Sequence, residues 1–248
     1  MFAVDTNCPC TFREAVNFGE RIGCVAPDML ILHYTGMASC DAAIDWLCRE
    51  ESGVSCHYVV CEEGKITQLV PEAKRAWHAG LSSWQDDTDV NSRSVGIEIC
   101  NPGHEGGLPD FPAKQIDAVI ELSKDILARN KIAPRHVLAH SDVAPGRKID
   151  PGENFPWQKL AENNVGLWVP PKTGPQSVVF QFGENGEPIA AIQAMLALYG
   201  YGVEISGNFD RQTQVCVSAF QRHFRPSLVD GVADGETIAT LEALIQKL

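Results

Sequence analysis

Four apolar residues in a row, Met29-Leu-Ile-Leu32, run straight into His33 and the polar turn Tyr34-Thr-Gly36. An unbroken run of this kind fits a strand buried on both faces, which delivers its last side chain to the edge of a sheet. A second apolar run, Val137-Leu-Ala139, ends in the same way at His140. Between the two lie a segment of helical spacing, with Ala42, Ala43, Trp46 and Leu47 on one face, and a hairpin of His57–Val60 with Ile66–Val70 that turns at Glu62-Glu-Gly-Lys65. Val95–Ile99 reads as a further strand and Pro112–Asn130 as a long amphipathic helix. Strands interleaved with crossover helices predict an α/β layer fold.

Residues 170–176, Pro-Pro-Lys-Thr-Gly-Pro-Gln, concentrate three prolines and a glycine and mark a linker between residues 1–169 and 177–248. Beyond it, Ile189, Ile192, Leu196 and Tyr199 hold helical spacing, then Val217, Phe220 and Phe224, then Ile238, Leu241 and Ile245. A second, small domain of three short helices is expected there. Gly207-x-x-Asp210-x-x-Thr213 recurs as Gly231-x-x-Asp234-x-x-Thr237. In each copy the aspartate is placed to cap the helix that follows, accepting from the open amides of its first turn.

Acidic side chains outnumber basic ones, 32 to 20, and the net charge of −12 argues against nucleic acid as a partner. Every apolar run falls well short of the roughly 18 residues of a membrane span, so no transmembrane segment is expected. Asp5, Arg13, Glu14, Glu20 and Arg21 interrupt the start of the chain, which has no secretory apolar core. The nine cysteines cannot all pair within one chain. Cys56, Cys61 and Cys100 lie in apolar, strand-like segments as small core residues, and Cys8-Pro-Cys10 is too tight for a metal knuckle. Unpaired thiols favour a reducing, cytoplasmic location over the periplasm, which stays the alternative.

A catalytic zinc site takes about three protein ligands and leaves one position open. If the strands ending at His33 and His140 are parallel neighbours, both imidazoles emerge on one sheet edge. Asp150 can return there through the turn-rich loop Ser141–Ile149. On the residues alone, each histidine also reads as a satisfied structural side chain. Glu98 lies between Ile97 and Ile99 and so faces away from them; a carboxylate there is either half of an ion pair or a proton acceptor. Lys148, two residues before Asp150, shares its face in an extended segment. His104, His136 and His223 read as surface residues.

Five segments in order carry a family resemblance: Leu30-Ile-Leu-His33-Tyr-Thr-Gly36, Ser55-Cys-His57-Tyr-Val59, Arg75-Ala-Trp77-His78-Ala-Gly80, Ser94-Val-Gly-Ile-Glu98-Ile99, and His140-Ser-Asp-Val-Ala-Pro-Gly-Arg-Lys148-Ile-Asp150-Pro-Gly152. Residues 30–150 thereby resemble bacterial N-acetylmuramoyl-L-alanine amidases of the AmpD and AmiD type. The resemblance implies a mixed β-sheet flanked by helices and one zinc ion per chain held by His33, His140 and Asp150. It also implies Glu98 as the general base and Lys148 as the oxyanion partner. Trp77 and His78 are expected to wall the substrate cleft; His57, within a strand, reads equally as core or pocket. Residues 177–248 resemble a three-helix peptidoglycan-binding domain through Ile189-x-x-Ile-Gln193-x-x-Leu196, Ala219-Phe-Gln221 and Val229-Asp-Gly-Val232. The expected partner is peptidoglycan or a soluble muropeptide. A wall sensor of the same fold without chemistry is the alternative, and the presence of His33, Glu98, His140, Lys148 and Asp150 together argues against it. Since every expected ligand precedes residue 151, a chain cut near Pro171 is expected to keep the site.

Overall fold

The computed structural model describes residues 3–248, which resolve into two compact units. The first comprises the chain up to Gly80 with Asp89–His140 and Asp150–Leu167. The second comprises Leu81–Thr88, Ser141–Ile149 and Trp168–Leu248. The expected linker thus lies inside the second unit, together with two excursions from the first half of the sequence.

The first unit is an α/β layer structure. Its strands are β1 (Cys10–Phe12), β2 (Phe18–Glu20), β3 (Met29–Tyr34), β4 (Tyr58–Val60), β5 (Ile66–Gln68), β6 (Lys74–Ala76), β7 (Ser94–Ile99) and β8 (Val137–Ala139). Its helices are α1 (Cys40–Leu47), α2 (Val90–Arg93), α3 (Ala113–Asn130) and α5 (Trp157–Glu162); the single turn α4 (His140–Val143) leaves it after His140. Six strands form one mixed sheet in the order β1-β5-β4-β7-β3-β8. Strand β3 pairs in parallel with both β7 and β8, and Met29 to Leu32 are completely buried, as an unbroken apolar run requires. Strands β4 and β5 form the expected antiparallel hairpin, closed by the Cys61 N–H on the Lys65 carbonyl at 3.0 Å. Gly64 serves that turn with φ of +79°, and a side chain on it would meet the Lys114 carbonyl oxygen at 2.8 Å.

Two polar residues tie the long helix to the sheet. Gln115 donates from Nε2 to the carbonyls of Val60 and Cys100, at the ends of β4 and β7. Buried Glu72 accepts from the Tyr58 hydroxyl at 2.6 Å and from Arg129 and Asn130 at 2.7 Å. A buried carboxylate with this many donors is compensated in place. One helical face differs from expectation: α1 buries Ala43, Ile44 and Leu47, while Trp46 is 41 % exposed. Ile44 outcompetes the indole because the space against Cys56, Val59 and Val70 suits a compact aliphatic side chain.

The second unit holds α6 (Glu187–Tyr199), α7 (Arg211–Phe224) and α8 (Gly235–Ile245), with a short antiparallel pair of β9 (Val179–Phe180) and β10 (Ala233–Asp234). Asp210 and Asp234 cap α7 and α8 as expected, accepting from the N–H of Thr213 and Thr237. The earlier excursions are built into this unit. Trp84 is fully buried with its ring 5.5 Å from that of Tyr199 and 5.1 Å from that of Tyr201. Asp142, also fully buried, accepts from the Tyr201 hydroxyl at 2.7 Å and pairs with His223 Nδ1 at 2.7 Å. His223, expected at the surface, is 1 % exposed because its ring stacks on Phe224 at 4.1 Å and meets this carboxylate. No helix among the described residues is long and apolar enough to cross a membrane.

Candidate metal centre

His33 sits near the end of β3, and His140 immediately follows β8. Because these strands are parallel neighbours in register from Leu30↔Val137 to Leu32↔Ala139, their ends coincide and the two imidazoles meet. Their Nδ1 atoms are 2.9 Å apart, and Asp150 Oδ2 lies 3.1 Å from the one and 3.0 Å from the other. All three residues are buried. Burial works to raise the Asp150 carboxyl, but His140 and His33 outweigh it and hold the group below the usual carboxylate range.

The outer atoms of both rings fix which nitrogen faces inward. His140 Nε2 lies 3.1 Å from the Ala79 carbonyl, which can only accept, so this nitrogen carries the proton and Nδ1 presents a lone pair. For His33 the same result is reached through two more side chains. Ser94 donates its hydroxyl to the Val90 carbonyl at 2.6 Å, so its oxygen accepts from His78 Nε2 at 3.1 Å. His78 Nδ1 then accepts from His33 Nε2 at 3.0 Å, which leaves His33 Nδ1 as a lone pair. Burial above all pushes the His78 imidazole well below the usual histidine range, consistent with its neutral acceptor role. Three ligand-type atoms therefore converge within 3.1 Å of one another. Two imidazoles and a carboxylate in this arrangement fit a divalent cation with an open position.

Local sequence explains why this network forms. The Asn91 side-chain oxygen accepts from the N–H of both His78 and Ala79, at 3.0 and 2.8 Å, and so holds the loop that supplies the imidazole and the carbonyl. Gly96, in the middle of β7, leaves room for that ring: a Cβ there would lie 2.6 Å from His78. His57 is fully buried but makes structural bonds, with Nδ1 accepting from the Gly96 N–H at 2.9 Å and Nε2 on the Lys74 carbonyl at 3.0 Å. Burial, with Arg21 beside it, lowers the His57 imidazole to about 3. Both ring nitrogens of His57 are thus engaged with backbone.

Glu98 pairs in register with His33 across β3 and β7, so the two side chains share a face of the sheet. Trp77 is half-buried, its backbone exchanging hydrogen bonds with Ser55 at 2.9 and 3.0 Å. Lys148 belongs to the second unit, where its N–H donates to the Ala144 carbonyl at 3.0 Å. His104, expected at the surface, is half-buried between the Tyr34 hydroxyl at 3.0 Å and Glu153 at 2.7 Å; His136 is likewise half-buried on the Asp28 carbonyl at 3.0 Å. Both lie where loops close over strand ends, which a local pattern does not reveal.

The Amidase_2 family, N-acetylmuramoyl-L-alanine amidase, matches residues 24–153, a span that contains all three convergent ligands. The amidase AmiD of Escherichia coli is 39 % identical over 231 residues, covering 88 % of this chain and 82 % of its own. This chain belongs to the N-acetylmuramoyl-L-alanine amidase family. The solved complex of E. coli AmiD with anhydro-N-acetylmuramic acid-L-Ala-D-γ-Glu-L-Lys superposes with a TM-score of 0.75 at 36 % identity, over 93 % of this chain and 98 % of that one. Pseudomonas aeruginosa AmpDh3 in complex with an anhydromuramic pentapeptide gives a TM-score of 0.73 at 31 % identity, over 100 % and 99 %. A peptidoglycan binding domain family matches residues 185–241 of the amidase, within its three helices. The mixed sheet, the helices around it and the family are thus those expected from the sequence. What sequence reading missed is the Ser94–His78–His33 chain and the Ala79 carbonyl. The signal available for them was Gly96, a glycine inside a strand.

Proposed function

We propose that this amidase hydrolyses the amide between the lactyl group of N-acetylmuramic acid and L-alanine in peptidoglycan or its soluble fragments. The observation that carries the reading is the convergence of His33 Nδ1, His140 Nδ1 and Asp150 Oδ2 within 3.1 Å in a chain of this family. We assign the site to one zinc ion, since two neutral imidazoles and a carboxylate are a common zinc donor set. Bound there, the ion supplies Lewis-acid polarisation of the amide carbonyl and makes water a usable nucleophile near neutral pH.

The chain's own groups handle the protons and the charge. Glu98, in register beside His33, takes a proton from the attacking water as the C–O bond forms, and returns it to the L-alanine nitrogen as the tetrahedral adduct collapses and the C–N bond breaks. Lys148, two residues before Asp150 in the sequence, offsets the negative charge on the carbonyl oxygen. His78, with Ser94 behind it, holds the His33 tautomer and is assigned with the adjoining loop to the cleft. Trp77 is assigned to the cleft wall. The three C-terminal helices bind glycan and raise the local substrate concentration. The nine cysteines, which stand as free thiols, support action in a reducing compartment on fragments of the wall.

Digestion of soluble anhydromuropeptides and of intact sacculi, side by side, tests the reading by mass spectrometry. Free stem peptide with intact muramyl sugar is the expected product, abolished by chelation and restored by zinc. Cleavage within the stem or of the glycan would exclude this amide, and binding without turnover would mean a sensor.

A further inference from the structure

Among the described residues, one other group of ligand-type atoms comes together. Cys40 Sγ, a Glu62 carboxylate oxygen and Cys100 Sγ all lie within 4.8 Å of one another. They arrive from separate parts of the first unit: Cys40 opens α1, Glu62 lies in the β4–β5 turn, and Cys100 directly follows β7. Cys61, beside Glu62, packs with Cys40 against the core cluster that contains Cys100. A cavity of about 310 Å³ opens onto the group, with Cys40, Cys61, Glu62 and Lys65 in its wall.

Plain packing accounts for part of this cluster, since Cys40 and Cys61 sit against the core around Cys56 and Cys100. It does not account for a carboxylate among thiols. Soft sulfur donors with one carboxylate select zinc-class cations over magnesium or calcium.

We propose that Cys40, Cys100 and Glu62 form a second metal site, for a thiophilic divalent cation of the zinc class. Binding releases two thiol protons to solvent. Two thiolates and a carboxylate bring a charge of −3 to the ion's +2, and Lys65 in the same wall offsets the remainder. Bound metal would clip α1, the hairpin turn and the end of β7, the strand that carries Glu98 two residues earlier. The role is structural and separate from the His33 centre.

The test is a cobalt(II) titration of the full chain, kept reduced and first stripped of metal. Two equivalents should bind, one of them with intense near-ultraviolet thiolate-to-cobalt charge transfer, which nitrogen and oxygen ligands do not give. Cys40→Ser should abolish that band and one equivalent. His33→Ala should keep the band and lose the other equivalent, so failure here is distinct from failure of the amidase reading. Should Cys40→Ser fail to fold by circular dichroism, Glu62→Gln at the cavity rim should weaken the band-forming equivalent by about tenfold. A reduced wild-type chain without the band overturns the site and leaves the cluster as packing or a redox pair. A band that survives Cys40→Ser, or one indifferent to Glu62→Gln, overturns it too.

Discussion

Both units bury polar side chains, but to opposite ends. In the helical unit each buried amide is closed. Gln193 donates to the Asn208 carbonyl and the Thr213 hydroxyl, both at 2.9 Å, and accepts from the Gly207 N–H at 2.8 Å. Gln221 repeats this with Val232, Thr237 and Gly231, at 2.8, 3.2 and 2.9 Å. In the α/β unit the network runs outward from His33 and His140, commits their outer protons to the His78 imidazole and the Ala79 carbonyl, and turns His33 Nδ1, His140 Nδ1 and Asp150 towards one another. Matched donors and acceptors make structure; convergent acceptors need a cation. Burial alone therefore does not separate a site from a core, whereas the direction of the protons does.

The contrast is broken most severely by removing a convergent lone pair. His33→Ala, His140→Ala or Asp150→Ala should lose bound metal, and turnover should fall by on the order of 1000-fold or more, the scale of several kcal/mol of Lewis-acid stabilisation. Metal analysis of the purified variants checks the cause, and stoichiometric zinc at this centre in any of them would mean a wrong ligand.

Glu98→Gln and Lys148→Ala sharpen it, since both residues are assigned to the transition state and not to coordination. Each should keep its metal while kcat drops about 100-fold. Saturating-substrate rates within threefold of wild type would remove the residue from the mechanism.

In the closed unit a deletion should cost stability in place of chemistry. His223→Ala takes one partner from buried Asp142 and should cost about 2–3 kcal/mol, read by denaturant unfolding. Asp142 lies between His140 and Asp150 in the chain, so the grouping also changes the expectation for a chain cut near Pro171. Such a chain strips Asp142 of both Tyr201 and His223, and its melting temperature should fall along with its activity on small muropeptides. Unchanged melting would mean that the helices act as a tether alone.

The most gradual effect is a slope. His57, held near 3 in the folded chain against about 6.5 unfolded, binds its proton only in the unfolded state between those values. Stability of the chelated protein should therefore fall as the pH drops from about 6.5 towards 3, by up to about 1.4 kcal/mol per unit from this residue. In His57→Phe that contribution should vanish, and an unaltered slope would assign the acid sensitivity elsewhere.

Much of this was legible in the chain. The run Met29–Leu32, the hairpin, the helix from Ala113 to Asn130 and the capping aspartates Asp210 and Asp234 all rest on patterns a few residues long, set by period, turn chemistry and open amides. The coincidence of His33 with His140 followed once two apolar runs were taken as parallel neighbours. Tertiary structure alone decided that Ile44 and not Trp46 faces the core, and that His223 is buried on Asp142, 81 residues away. It also decided that Leu81–Thr88 and Ser141–Ile149 join the helices, that Cys40 meets Cys100, and that His78 orients His33. The reason is common to all of these. Local sequence dictates which way a side chain leaves its own element, but which acceptor or cavity it finds there is set by another segment, and only the packed chain brings the two together.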